Sequence, residues 1–437
     1  MTNKVKMITA LLLVPMVSAC GGGQSGNAPS GTPTPEQKPV EAKPVELRFY
    51  MNSISQAEFD KYYVEPLKKK FPHITVKGIP PAKGTTIEEL LAVGEAPDVY
   101  IGSKGSIPNH INNLQLAEAL DTLITSEKYD LNRLDPATVD IMRKAAGGKV
   151  IGLPLNINVN ALYYNKEVFD KFGVAYPKDG MNWDDVYEIA KKLTRQEQGV
   201  QYRGFTDRWG DTFFALNPFE LPYLQPNANK TTFQDPNWRK VIDNWLRFYS
   251  LPGVTFDTKT ASKEEDRKLF GTGVSGMTIM ALNIPAWKFN WDIVSAPTYK
   301  EKPGVDMQAN ARYNFLVKGS KNQLTAFQVA AYMTSDDYQM EASKNGLFPV
   351  LTDTKFKKAY MENDPLYKGK NIPAYYHNKF AAEPQGRAAG MNNSVNVQDK
   401  YLLPEMMNVL VGTKDVNTAL RDADDGATKA LVEASSK

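Results

Sequence analysis

Three histidines, His73, His110 and His377, lie far apart in this 437-residue chain. No His-Glu-x-x-His helix and no Gly-x-Ser-x-Gly turn occurs, so the usual zinc-protease and serine-hydrolase signatures are missing. Carboxylates are plentiful, but a glycan hydrolase needs two of them facing each other across a scissile bond, and spacing alone does not reveal such a pair. Aromatic side chains are numerous, with six Trp and 21 Tyr, and need not all be core. Aromatic side chains offer flat apolar faces, and Asn, Asp and Arg offer hydrogen bonds to polar groups that would cost roughly 1 to 3 kcal/mol each if buried unpaired. Trp209, within Arg208-Trp209-Gly210-Asp211, and Trp287, after Asn283-Ile284-Pro285, stand in such surroundings. Cys20 is the one cysteine, so no internal disulfide can form.

The elements that would position these groups alternate strand and helix. Leu47 to Met51 reads as a strand, and Ser55 caps a helix with Phe59, Tyr63, Leu67 and Phe71 on one face. His73 to Ile79 is a second strand. Thr86-Ile87-Glu88-Glu89 is a capping box for a helix that stops at Gly94, and Asp98 to Ile101 is a third strand. This alternation predicts a mainly parallel sheet, with ligand-facing loops beyond its strand ends at Asn52, Ser53, Gly102 and Ser103. Val150 to Pro154, Ala161 to Tyr164, Ile293 to Pro297 and Phe315 to Val317 read as further strands. Helices are expected over Asn182 to Leu193, over Pro236 to Tyr249 behind the cap Asp235, and from about Leu402 to Ala434. Trp238 and Trp245, seven apart on one helix, belong to the core. Gln201 to Gln234 mixes Trp, Phe and Tyr with Pro, Asn and Gly, a composition suited to a binding surface.

The start of the chain supplies an address. Lys4 and Lys6 precede an apolar run over Met7 to Val17, and Val17-Ser18-Ala19-Cys20 resembles a lipobox, in which the cysteine is acylated. Residues 1–19 are thus read as a lipoprotein signal peptide. Residues 20–44 are read as a lipidated cysteine and a disordered linker, because they carry almost no large apolar side chain. Removing Lys4 and Lys6 leaves 50 basic against 49 acidic residues, a net charge of +1. That balance gives no footprint for nucleic acid. The remaining length exceeds one core's usual reach and implies two lobes.

From Glu95-Ala96-Pro97-Asp98-Val99-Tyr100 onward the chain resembles the extracellular solute-binding proteins of ABC importers, in the group of the maltose and oligosaccharide binders. The likeness continues in order through Leu116-Ala117-Glu118-Ala119-Leu120, Lys149 to Pro154 and Leu162 to Phe169. It goes on through Asn182-Trp183-Asp184-Asp185, Gly276 to Met280, Gly319-Ser320-Lys321-Asn322 and Asn345 to Val350. The resemblance implies an α/β, two-lobed periplasmic-binding-protein-like fold of type II, with a ligand cleft between the lobes and hinge crossings. Lobe 1 would hold 45–156 plus 316–364 and lobe 2 would hold 157–315 plus 365–437. Crossings would fall near Leu155 to Asn158, near Tyr313 to Leu316 and after Asp364. The resemblance implies a monomer, a carbohydrate as solute, an ABC permease as partner and attachment to the membrane through the lipid, on the outer face of the cytoplasmic membrane of a Gram-positive cell. It calls for no cofactor and no metal.

Carried over by position, the family's solute contacts map to Asn52 and Ser53, Ser103 and Lys104, Asn156 and Asn158, Trp209 with Asp211, and Asn283 with Trp287. Trp183 is assigned to structure. The chain departs from the oligosaccharide binders after the Pro-Asp strand, where Gly102-Ser103-Lys104-Gly105-Ser106 lacks their acidic or aromatic side chain, and at Asn158, where an acid is common. Missing carboxylates near Lys104, Arg203, Arg208 or Arg312 would suit a uronate-containing oligosaccharide. Two rivals remain open at this stage: an extracellular glycan-active enzyme, and a metal-chelate binder using Tyr163-Tyr164 or Tyr375-Tyr376. For the first tyrosine pair, strand geometry sends the two rings to opposite faces.

Overall fold

The computed structural model describes residues 43–207, 210–256, 263–281, 287–388, 391 and 395–435. Cys20 and the linker up to residue 42 lie outside them, as do Arg208, Trp209 and Asn283. Twelve strands run in chain order: β1 (Val45–Met51), β2 (Ile74–Ile79), β3 (Val99–Ser103), β4 (Gly152–Asn158), β5 (Asn160–Asn165), β6 (Arg195–Glu197), β7 (Val200–Thr206), β8 (Ser275–Ala281), β9 (Trp291–Ser295), β10 (Val305–Gln308), β11 (Asn310–Leu316) and β12 (Lys379–Ala381). They form one five-stranded sheet in the order β2-β1-β3-β11-β4 and another in the order β6-β7-β8-β5-β9. β10 and β12 make a two-stranded ribbon.

Local signals account for the first three strands. Ser55 and Glu58 form a reciprocal capping box. The helical stretch over 56–70 that follows contains a wide π turn at Asp60–Val64 and buries Phe59, Tyr63 and Leu67. Thr86 and Glu89 cap the next helix in the same way. β1 pairs parallel with β2 and with β3. The expectation of a mainly parallel sheet holds only for these three strands, because β11 enters beside β3 running the other way and pairs antiparallel with both β3 and β4. The second sheet is mostly antiparallel, with only β7 and β8 parallel.

β4 and β11 carry the chain between the sheets. β4 ends at Asn158 in the first sheet, and β5 starts at Asn160 in the second. The return is completed before Asn310, so 310–315, read from the sequence as part of the second lobe, pair within the first sheet. Hydrogen bonding with β4 extends the first sheet past both sequence-based exchange points. A bulge sits in this pair: Arg312 faces Asn156 but Tyr313 faces Pro154, which leaves Leu155 as the extra residue.

The second sheet is covered by the helices Trp183–Leu193 and Pro236–Tyr249, capped by Asn182 with Asp185 and by Asp235. Trp183, Trp238 and Trp245 are buried. Phe213 packs on Trp183 with ring centroids 4.5 Å apart, Phe214 on Trp245 at 5.4 Å, and Tyr223 stacks on Trp238 at 5.4 Å. Most described rings of the 201–234 segment therefore fill core, and its binding surface is left to Tyr223 and to non-aromatic residues such as Leu221 and Leu224. Mutual burial of the rings removes more apolar area from water than exposure to a solute would. Tyr163 and Tyr164 do point to opposite faces. Tyr163 joins the cluster of Tyr313 and Phe315, and Tyr164 joins that of Phe169.

Candidate functional site

A cavity of about 600 Å³ opens where the crossing strands leave the two sheets, a volume in the ordinary range for small-molecule sites. Asn158, Asn160 and Asn310 enter it from the crossings, Gln308 from the end of β10, and Asn109 and Asn112 from the stretch after β3. Each carboxamide offers both a donor and an acceptor without charge, which matches the dual character of a hydroxyl. Apolar wall comes from Ile107, Ile141, Leu221, Leu224 and Met280. Among the described residues the wall carries a single aromatic ring, Tyr223, so carboxamides and aliphatic groups take the place of the expected aromatic lining.

Lys104 is the best-held charge in this wall. Its Nζ lies 2.5 Å from Glu383 Oε2 and donates to Gln308 Oε1 at 2.6 Å. Both members of the ion pair are largely buried, with side-chain exposures of 18% and 14%. Burial lowers the Lys104 pKa and raises that of Glu383, and each charge works against the shift of the other. Lys144 donates to the Glu383 carbonyl and pairs with Asp140 at 3.1 Å.

The sequence-derived residues separate into groups. Ser103, Lys104 and Asn158 line the cavity. Asn52 and Ser53 do not reach its wall. Asn52 Nδ2 donates to Ser106 Oγ at 2.9 Å, and Ser103 N donates to Ser53 Oγ at 3.0 Å, so these two residues knit the loops after β1 and β3 together. Asn156 is buried behind Asn158, donating to its Oδ1 at 3.1 Å. Trp287 packs against Phe270 at 4.8 Å and edge-on to Tyr163 at 5.7 Å, away from the cavity wall, because a cluster of neighbouring rings captures it. Asp211 opens the helix Asp211–Ala215, and its side chain, with Trp209 and Asn283, lies outside the described residues.

Asn160, Gln308, Asn310 and Glu383 were missed. Asn160 had a signal, since Asn156, Asn158 and Asn160 alternate through the crossing. Glu383 had none. It stands 279 residues from Lys104, and it corrects the reading that carboxylates are lacking around the cations. Arg312 likewise meets Glu58 at 3.4 Å, and Arg203 meets Asp266 at 3.6 Å. Lys104, Arg203 and Arg312 are thus each met by an acid from within the chain, while Arg208, the fourth cation of that reading, lies outside the described residues. The tyrosine reading loses its geometry: Tyr375 is buried with its hydroxyl on that of Tyr163, and neither lines the cavity.

Two α/β lobes joined by crossing strands, with an amide-lined cavity at the crossing, define a solute receptor. The model of the bacterial extracellular solute-binding proteins matches residues 52–340. An uncharacterised ABC transporter extracellular-binding protein of Pyrococcus horikoshii is 24% identical over 316 residues, covering 67% of each chain. The sn-glycerol-3-phosphate-binding periplasmic protein of Brucella abortus is 29% identical over 176 residues, 39% of this chain and 37% of that one. Among solved structures, an ABC substrate-binding protein from Listeria monocytogenes in complex with cycloalternan superposes with a TM-score of 0.70 at 20% identity, covering 89% of this chain and 100% of that one. The sugar-binding protein MalE from Xanthomonas citri gives 0.68 at 17% identity, over 89% and 98%. This chain belongs to the bacterial extracellular solute-binding protein family; it is a solute-binding protein of the ABC-transporter class and not an enzyme.

Proposed function

We propose that the cavity captures a neutral carbohydrate of oligosaccharide size and delivers it to an ABC permease, with the protein acting as a monomer moored outside the cell membrane through acylated Cys20. The observation that carries this reading is the group of uncharged carboxamides beside aliphatic wall, with the charged Lys104 and Glu383 in the lining paired to each other. Hydroxyls pair with amides at little desolvation cost, whereas an ionised solute would need opposite charges that are already committed to each other. The sugars bound by similar proteins of the same fold, cycloalternan and maltose among them, support the same class of ligand. The division into two lobes is kept as our reading, with the exchange points moved to Val159 and Ala309, so that 45–158 plus 310–364 face 160–308 plus 365–437. Closure about them would bury the solute, and a ligand drives closure only by binding the closed form better.

The test is a thermal-shift screen of the full chain against linear and cyclic gluco-oligosaccharides, maltose, D-mannitol and uronate-bearing glycans. A ligand at a hundred times its dissociation constant adds about 2.7 kcal/mol of stability. Stabilisation by neutral glycans, without turnover, is expected. No shift with any member of the panel rejects the carbohydrate reading.

A further inference from the structure

Residues 382–388 leave β12 and pass along the cavity as a strap held at both sides. On the first lobe, Lys144 Nζ donates to the Glu383 carbonyl, and Gly386 seats so closely on the end of the helix Pro136–Ala145 that a Cβ there would stand 2.3 Å from the Lys144 carbonyl oxygen. On the second, Ala388 N donates to Pro226 O at 2.8 Å, and Arg387 Nη2 donates to Ala228 O at 3.0 Å and to Asn229 Oδ1 at 2.9 Å. Glu383 is thereby presented to the cavity from a fixed backbone. Its Oε2 is taken by Lys104, whose second proton goes to Gln308. Its Oε1 has no hydrogen bond among the described residues and is not sealed from the cavity.

We propose that Glu383 is a specificity-determining residue of the solute site, whose Oε1 accepts a hydrogen bond from a ligand hydroxyl while the third Lys104 proton reaches the neighbouring oxygen. The inference rests on the carbohydrate reading above. An ionised carboxylate offers acceptors only, so the group that meets it must bring a donor. An anion would face the carboxylate, and a cation would face Lys104. A pair of adjacent hydroxyls supplies one donor and one acceptor without charge. The acid that the loop after β3 lacks is thus delivered by a remote strap, and because the strap touches both lobes, filling this position joins ligand contact to lobe contact.

The experiment is calorimetric titration of the full chain and of its E383Q and E383D variants with whichever glycans of the panel bind the wild type. E383Q should lose about tenfold to a hundredfold in affinity, the range for a hydrogen bond to a charged group. E383D, with its charge withdrawn by one methylene, should fall between the two. Unliganded melting of each variant reports whether it folds, and E383D keeps the test valid should E383Q melt early. The ionisable groups facing Glu383 are Lys104, beyond β3, Lys144 and Asp140 on the helix Pro136–Ala145, and Tyr313 on β11. Wild-type affinity should therefore decline as acid protonates Glu383, and that decline should be absent from E383Q. Binding of no glycan by the wild type overturns the carbohydrate reading and this proposal together. Wild-type binding with unchanged affinity and an unchanged pH profile in E383Q overturns this proposal alone.

Discussion

Asp266 shows how far burial alone can move a side chain in this protein. It is 2% exposed, its Oδ2 accepts from the Tyr249 hydroxyl at 2.6 Å and from Asp207 N at 2.8 Å, and Arg203 stands 3.6 Å away. Burial pushes its carboxyl up to about 7, outweighing the downward pull of Tyr249 and Arg203. An acid whose pKa is higher in the folded chain binds its proton more tightly there. It therefore adds stability at low pH, and this contribution is lost as pH rises from about 4 through about 7. The D266N variant removes the titration while keeping an acceptor for Tyr249. Thermal melts across this window should fall less steeply for D266N than for the parent, with a difference in slope worth up to about 4 kcal/mol in total. Parallel profiles would show that Asp266 keeps an ordinary pKa.

Helix Trp183–Leu193 and β7 show what an element needs beyond its own pattern. The helix was expected over Asn182 to Leu193, and the structure closes its start with Asn182 and Asp185 and buries Trp183, Val186, Ile189, Ala190 and Leu193. Its docking depends on Gly204 in β7, where a Cβ would lie 2.1 Å from the Ala190 carbonyl oxygen. Backbone cannot yield there as a flexible side chain could. G204A should cost about 1 to 3 kcal/mol, read as a lower denaturation midpoint with an unchanged slope. The same distinction explains why the 201–234 segment meets the cavity through Ala215, Leu216 and Leu221 to Leu224 while most of its rings turn into the core. Its composition was visible, but its rings found partners on Trp183, Trp238 and Trp245, and composition does not say which surface a ring will meet.

The described part of the molecule is held together at the crossing by aromatic packing as well as by strands. Tyr163 of β5 packs with Trp291 of β9 at 5.7 Å, and Tyr360 packs with Phe348 at 5.1 Å and with Tyr375 at 5.3 Å. Among the described residues no helix is long and apolar enough to cross a membrane. The mooring proposed above rests on the lipobox at Cys20, where a diacylglyceryl group would bind lastingly as a single acyl chain does not. C20A should move the protein from the membrane fraction to the soluble extracytoplasmic fraction and abolish labelling by a palmitate analogue, while leaving glycan affinity unchanged. Continued labelling of C20A would place the lipid elsewhere.

Local chemistry was readable without coordinates. Caps at Ser55, Thr86 and Asp235, the helix face of Phe59, Tyr63 and Leu67, the core tryptophans Trp238 and Trp245 and each family motif rest on residues within a few positions of one another, where periodicity and steric preference act directly. Asn158, which lines the cavity, came from the family likeness at the crossing and not from its own spacing. Sheet membership of β11, the capture of Trp287 by its ring cluster and the meeting of Lys104 with Glu383 were not legible. These are pairings over long sequence separations, chosen by which surfaces become neighbours when two sheets share crossing strands, and no local pattern encodes that choice. The solute site takes its charge pair from that choice: β3 brings the ammonium, the strap after β12 brings the carboxylate, and the fold sets them 2.5 Å apart.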